Sequence, residues 1–516
     1  MTKKRYALLL AAAWLAVCFA AACIYAAKCG TYFIDADMSS ELVLARQLFR
    51  EGGALSKNWY YSSELRVLNN QLVFAPLFAL SDNWQLVRTL GTAITLAVMT
   101  ACYIFMARGT GLSWTGTFAS AGVLLLPLSD SYTYAVITGL FYIPHICISF
   151  LLFGLYCRYT GAGRKKPLWG VLAAVLAFIA GLGGVRQLFI FTVPAFVTAV
   201  ILLFENGIKM PARGERTEFA AVSALSLIAS AAGCLVNRGL LPQIYSFCNY
   251  GENTYGRDVL FTGFSLDGFK FYIDSIIELF GYRSGPLFSG VLVYNMLFGC
   301  ALLAAVFAVR AVLRDKAGAF RLRAETVFFI TAFAMLGLVY CFTDLDRVVR
   351  YCVPVIVFAV PVVFASFECW RAESRVKLAP VALMAALLVL CSANTYRVST
   401  GYDANSDLKD IVSVVRGEGY TEGYSSFWTG NLITELSSGA VDMRIVGGDM
   451  IVEPGDMAYV YEWLQTKAHK DTVPAGRFFL VLFNFEAELP IEPIYTNQTY
   501  RLYGFDSFDE FEALYK

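Results

Sequence analysis

Charge is what this chain has least of. Asp, Glu, Lys and Arg make up only 16% of its 516 residues, against 58% apolar and 15% aromatic, which excludes an ordinary soluble enzyme and leaves a membrane protein. The charges sum to +1, so no long-range field points to nucleic acid as a partner. The 13 cysteines contain no CxxC pair and no zinc-type spacing. Most of them, such as Cys18, Cys102, Cys147, Cys300 and Cys391, stand inside apolar runs and read as small core hydrophobes. Internal repeats, low-complexity tracts and heptad arrays are absent as well, which sets aside solenoid and coiled-coil architectures.

What is present is a series of apolar runs long enough to cross roughly 30 Å of hydrocarbon as helices. Eleven spans are predicted, near residues 7–27, 84–107, 112–128, 133–157, 167–184, 188–204, 218–236, 286–310, 324–342, 351–369 and 377–393. The first exceeds the core of a cleaved signal and reads as a retained span. Lys and Arg collect in alternate connections: Lys3, Lys4 and Arg5, then Arg158, Arg164, Lys165 and Lys166, then Arg310, Arg314, Lys316, Arg321 and Arg323. Only Arg186, Arg347 and Arg350 stand in the short loops between them. By the positive-inside rule this places the N-terminus in the cytoplasm and the C-terminus outside, in a multi-pass plasma-membrane protein.

Two extracytoplasmic pieces follow from that topology. The first outer loop, 28–83, contains an amphipathic stretch from about Ser39 to Arg50 with Leu42, Ala45, Leu48 and Phe49 on one face, expected to lie on the membrane surface. Its 67–80 part is apolar, short and interrupted by Pro76, as a re-entrant or interfacial segment would be. After Asn394 the composition turns mixed, which predicts a transmembrane domain over 1–394 and a small soluble α/β domain over 395–516. Helices are expected at 407–418, 431–438 and 457–467, and strands at 420–428, 441–446, 477–485 and 500–505.

The charged residues on the outer side suit transfer of a sugar from a phosphate carrier, which needs a base for the incoming hydroxyl and positive charge for the departing phosphate. Asp35, Asp37 and Glu41 are the candidate acids, and Asp37 and Glu41 are four apart, on one face of a helix that starts by Asp37. A helix N-cap is the structural alternative for Asp37. Asp35 and Asp37 would also be the ligands of a divalent cation, Mg or Mn, although two acids make a weak metal signal. Arg186 in GGVRQ and Arg347 and Arg350 in TDLDRVVRY are the candidate phosphate partners, since a guanidinium matches phosphate geometry bidentately. Pairing of Arg347 and Arg350 with Asp344 and Asp346 is the alternative there. Trp59 and Tyr61, with Glu64 and Arg66, are candidates for sugar or acceptor binding. His145 within a span reads as a neutral histidine bonded across helices or as a functional group.

With these residues in view, the chain resembles the GT-C superfamily of polyprenyl-phosphate-sugar-dependent glycosyltransferases, which includes protein O-mannosyltransferases and aminoarabinose transferases. Asp37 stands eight residues before Ala45-Arg46, where the family's acidic motif begins, and Arg350-Tyr351-Cys352-Val353-Pro354 matches its late Arg-Tyr-x-x-Pro motif. The residue after Asp37 is Met38, where the family often has Glu. The resemblance covers the membrane part and implies a GT-C-like helical fold, a lipid-linked sugar donor, a cell-envelope glycan, lipid or protein acceptor, Asp37 as base and the arginines at the carrier phosphate. The competing readings are a lipid or polysaccharide transporter and a noncatalytic envelope-assembly protein of the same fold.

Overall fold

The computed structural model describes residues 3–62, 65–161, 163–205, 212–247, 260–282, 284–285, 290–314, 320–369, 374–447, 460–486 and 488–514. The chain divides into two compact units. One is formed by Met1–Tyr25, Thr95–Asn237 and Asp258–Val398, the other by Ala26–Ile94, Arg238–Arg257 and Ser399–Lys516.

The first unit is helical, and among the described residues each segment predicted to span is built mainly of helix. Among the described residues seven helices are long and apolar enough to cross a membrane, and the bent pair Asp130–Thr138 with Ile143–Tyr159 makes up to eight. Lys166–Gly181 and Leu188–Phe204 are apolar but shorter, and Trp114–Leu124 has 11 residues, so these three of the eleven predicted spans fall short of a full crossing by length. Lipid offers little hydrophobic drive for helix association, so close packing has to hold the helices together. Two glycines achieve it where Lys166–Gly181 meets Ala212–Gly239: a Cβ on Gly181 would lie 2.1 Å from the Ser230 carbonyl oxygen, and one on Gly233 2.2 Å from that of Phe178. Deeper in, Phe328 packs against Phe358 at 5.0 Å between ring centroids and against Phe191 at 5.1 Å. Tilted and edge-on aromatic pairs of this kind fill the helix junctions without voids.

The second unit gathers three distant stretches of sequence. Its sheet has the order β3-β2-β5-β7-β6, with β2 at Glu422–Ser425, β3 at Asp442–Ile445, β5 at Phe478–Phe483, β6 at Tyr495–Thr496 and β7 at Tyr500–Phe505. β3, β2 and β5 are parallel, and β7 and β6 add antiparallel. The β2–β3 crossover is the helix Phe427–Leu436, as parallel neighbours require. β5 is a run of apolar residues (FFLVLF) buried along nearly its whole length, as a central strand with both faces covered should be. Helix begins at Phe427, earlier than the predicted extended stretch 420–428 allows. The helix predicted at 457–467 is not found either: its first residues lie outside the described ones, and 465–466 form the strand β4.

β4 pairs antiparallel with β1, Trp59–Tyr60 of the first loop. The loop helix α2 (Ala36–Glu51) lies in the same unit, with Leu42, Ala45 and Leu48 buried. α2 packs on the short helix α3 (Gln71–Leu77) and on Phe427–Leu436. Protein thus covers the apolar face that the sequence assigns to the membrane surface, and Phe49, 39% exposed, is the member left outside. One ion pair fastens this arrangement. Arg88, at the start of the helix Trp84–Thr110, meets both carboxylate oxygens of Glu435, with Nη2 to Oε2 at 2.6 Å, and Nη2 also donates to the Met38 carbonyl of α2 at 3.0 Å. Both residues are 5% exposed. Glu435→Gln would strand a buried guanidinium and is expected to cost about 3–5 kcal/mol, read as a lowered unfolding midpoint of the purified protein. The joint replacement Arg88→Met with Glu435→Leu should recover most of that loss.

Candidate active site

In the second unit the acids are set by the start of α2. Asp35 is its N-cap: the backbone is extended and Oδ1 accepts from the Met38 amide at 2.8 Å. The capping role that the sequence left open for Asp37 therefore belongs to Asp35. Asp37 sits in the first turn, half-buried, where the helix dipole favours a negative charge. Its carbonyl accepts from the Ser40 hydroxyl at 2.7 Å.

Glu41, one turn on, receives two amides. Asn69 Nδ2 donates to Oε1 at 3.1 Å and Asn70 Nδ2 to Oε2 at 2.8 Å. Burial pushes the Glu41 carboxyl above the usual carboxylate range, against the opposing pull of Asn70, Arg66, Asn69 and Arg88. Among the residues that act on it, Asn69 Oδ1 and Arg66 Nε are buried polar atoms with no hydrogen-bond partner among the described residues. Buried polar groups are ordinarily satisfied, so such a cluster suits a polar ligand.

Other residues are placed differently from the sequence expectation. Trp59 and Tyr61 are 1% and 5% exposed and form a core cluster with Leu44, Leu48 and Leu65. The Tyr61 hydroxyl accepts from the Ser56 amide at 2.8 Å, and burial pushes its pKa up to about 12. Neither ring has a free face to stack on a sugar, because both are spent on holding the loop together. Glu64 lies outside the described residues. As for a divalent cation, Asp35 spends an oxygen on capping, and no group of three or more His, Cys, Asp or Glu suited to a metal occurs among the described residues.

In the first unit the arginines are held by aromatic rings. The Arg186 guanidinium carbon lies 5.7 Å from the ring centroid of Tyr142 and 5.5 Å from that of Tyr351, with Nη1 3.4 Å from the Tyr142 hydroxyl. Arg350 lies 5.7 Å from the Phe141 ring and donates to the Tyr134 hydroxyl at 3.1 Å. Contacts of this kind orient a guanidinium against the ring faces. Arg347 is exposed, 3.3 Å from Ser265 Oγ. Asp344 accepts from the Leu260 amide at 2.7 Å.

Irregular backbone presents these rings. Thr133–Thr138 is a π-helix, and the chain then bends by 79° before Ile143–Tyr159. Leu140 at the break adopts φ 58°, which is unusual for a bulky residue. Strain of this kind costs of order 1–3 kcal/mol and clusters at functional sites. A second π-helix, Leu188–Thr192, follows Arg186. Beside it His145 Nδ1 meets Gln187 Oε1 at 3.1 Å, and Gln187 Nε2 donates to Ser149 Oγ at 2.9 Å, the cross-helix bond that one reading of His145 anticipates. Asn69, Asn70, Arg88, Tyr134 and Tyr142 were not singled out in the sequence. The signals that point to them are the adjacent asparagines in a polar loop, an arginine just inside an apolar run, and tyrosines flanking Gly139.

No protein-family model matches the sequence, and no curated protein matches it either. Solved structures do. ArnT from Cupriavidus metallidurans in the apo state aligns over 95% of this chain and 97% of its own with a TM-score of 0.60 at 12% identity. The same protein bound to undecaprenyl phosphate aligns over 95% and 98% with a TM-score of 0.59 at 11% identity. The fold is GT-C-like. A weaker likeness joins it to the apo oligosaccharyltransferase of Archaeoglobus fulgidus, at 11% identity and a TM-score of 0.49 over 83% of this chain and 64% of that one.

The raised Glu41 pKa gives a pH signature. The folded state holds the proton more tightly than the unfolded one, so this group's contribution to stability is complete below the ordinary carboxylate range and falls away as pH rises towards the folded-state value. Thermal unfolding measured upward from pH 4 should show that decline in the wild type and a flatter profile in Glu41→Gln.

Proposed function

We propose that the protein is a membrane glycosyltransferase that moves a sugar from a polyprenyl-phosphate carrier to an extracytoplasmic acceptor by a single inverting displacement. The observation that carries this reading is the full-length likeness in fold to ArnT, solved with undecaprenyl phosphate, in a chain that also holds two arginines against aromatic rings beside π-helical backbone. In the reaction Asp37 takes the proton of the acceptor hydroxyl as its oxygen bonds to the anomeric carbon. The bond from that carbon to the phosphate oxygen breaks, and the electron pair leaves with the polyprenyl phosphate. Arg186 and Arg350 stabilise the charge that grows on the departing phosphate. Glu41 with Asn69, Asn70 and Arg66 binds sugar or acceptor hydroxyls, which suits a cluster with unsatisfied polar atoms.

The distribution of Lys and Arg supports an extracytoplasmic location for these groups, with the N-terminus in the cytoplasm of a plasma-membrane protein. Asp35 serves as the cap that orients the helix start, and a Mg or Mn requirement is left to a chelation control.

Purified protein offered a panel of undecaprenyl-phosphate sugars and envelope acceptors should release undecaprenyl phosphate. Asp37→Asn should lower turnover by about 10²–10⁴-fold, the usual weight of a general base, with the unfolding midpoint unchanged. Arg186→Lys keeps the charge but loses the fork, and should lower kcat by about 10²-fold while binding persists. Equal turnover in the wild type and Asp37→Asn would remove Asp37 from the chemistry. Donor binding without turnover would point to an assembly protein, and carrier crossing without transfer to a transporter.

A further inference from the structure

We infer that Leu260–Ile273 is a membrane-interface anchor whose partner is the phospholipid surface at the end of the span Phe320–Phe342. This stretch has no part in the proposed transfer reaction, and the inference stands whether or not that reaction is right.

Main-chain hydrogen bonds fix the segment's depth. Thr262 N donates to the Phe342 carbonyl at 2.9 Å, Ser265 N to that of Cys341 at 2.7 Å, and Asp344 N to that of Leu260 at 3.1 Å. The helix Leu266–Leu279 then packs back along the span. A Cβ on Gly268 would lie 2.1 Å from the Tyr340 carbonyl oxygen, and the Tyr272 hydroxyl donates to the Phe333 carbonyl at 2.7 Å. The segment is therefore tied to one end of a spanning helix, where hydrocarbon gives way to water.

Its side chains sort into three stripes. At about 100° per residue, Gly268, Tyr272, Ser275, Ile276 and Leu279 form the buried face against protein. Asp267, Lys270 and Asp274 form an exposed polar stripe. Leu266, Phe269 and Ile273 form an exposed apolar stripe between the other two. A helix bounded by protein and water alone needs two faces, so the third calls for an apolar medium. The loop before it adds Phe261, 78% exposed, and Phe264, 63% exposed.

The lipid-facing side of the span leads directly into this stripe. Ile330, Ala334 and Leu338 are exposed along Phe320–Phe342 at four-residue spacing. Phe342 continues the row, with Phe261 stacked on it at 6.0 Å and Phe264 against it at 5.7 Å. Arg347, bonded to Ser265 at the helix start, sets a cation at the level where phospholipid phosphates lie. Continuity with a lipid-facing surface, and a cation at its rim, favour the bilayer over a protein partner.

The test is photo-crosslinking of the full chain in phospholipid nanodiscs, with p-benzoylphenylalanine introduced one position at a time and adducts read by mass spectrometry. Leu338 is the positive control on the span. Phospholipid adducts are expected at Phe264 and Phe269, several-fold above those at Asp267 and Asp274. Capture at Leu338 without capture at Phe264 and Phe269 would overturn the inference. Equal capture on the apolar and polar stripes would do the same, and so would crosslinks from Phe264 or Phe269 to a second copy of the chain.

Discussion

The second unit depends on a charge that cannot be left alone. Arg88 is buried with Glu435, and desolvating two ions is tolerable only when their hydrogen bonds are met in good geometry. Here the guanidinium fork takes both carboxylate oxygens and the Met38 carbonyl, which fixes three chain segments to one another. The register of α2 follows, and with it the place of Asp37 one residue before Met38 and of Glu41 three residues after. A hydrophobic contact would hold the same helices with freedom to slide. A bidentate ion pair does not permit that.

The first unit solves a different problem, setting Arg186 and Arg350 against aromatic rings. Regular helices would bury or point away the rings that surround Arg186 and Arg350. A π-helix, a 79° bend and a left-handed leucine turn Tyr134, Phe141 and Tyr142 towards the arginines instead. The backbone strain is offset by the packing around it, where Ala135, Val136, Ile137 and Ile146 are fully buried. Local irregularity is what brings these rings and the two arginines together in this part of the fold.

The longer spans were legible because apolar length is a direct physical requirement of crossing hydrocarbon, β5 because it is an apolar run of strand length, and the 407–418 helix because its periodicity is unbroken. Asp37 and the arginines were legible as charges in a chain that has few. The break at Leu140 was not, since neither glycine nor proline occupies the position that turns left-handed. Trp59 and Tyr61 misled because exposed and buried aromatics look alike in sequence, and only the β1–β4 pairing and the cluster around Leu48 decide the matter. The cover over α2 was hidden for a similar reason: an amphipathic face states what it needs, not whether lipid or protein supplies it.

That cover arrives late. α2 leaves the ribosome long before Phe427–Leu436, and at about 5–20 residues per second the intervening chain takes tens of seconds to make. Until then the ion pair is half-built and the side of α2 that packs on Phe427–Leu436 is uncovered, although Leu44 and Leu48 already have Trp59, Tyr61 and Leu65. A chain truncated before Phe427 would lack that cover and would hold Arg88 without its carboxylate.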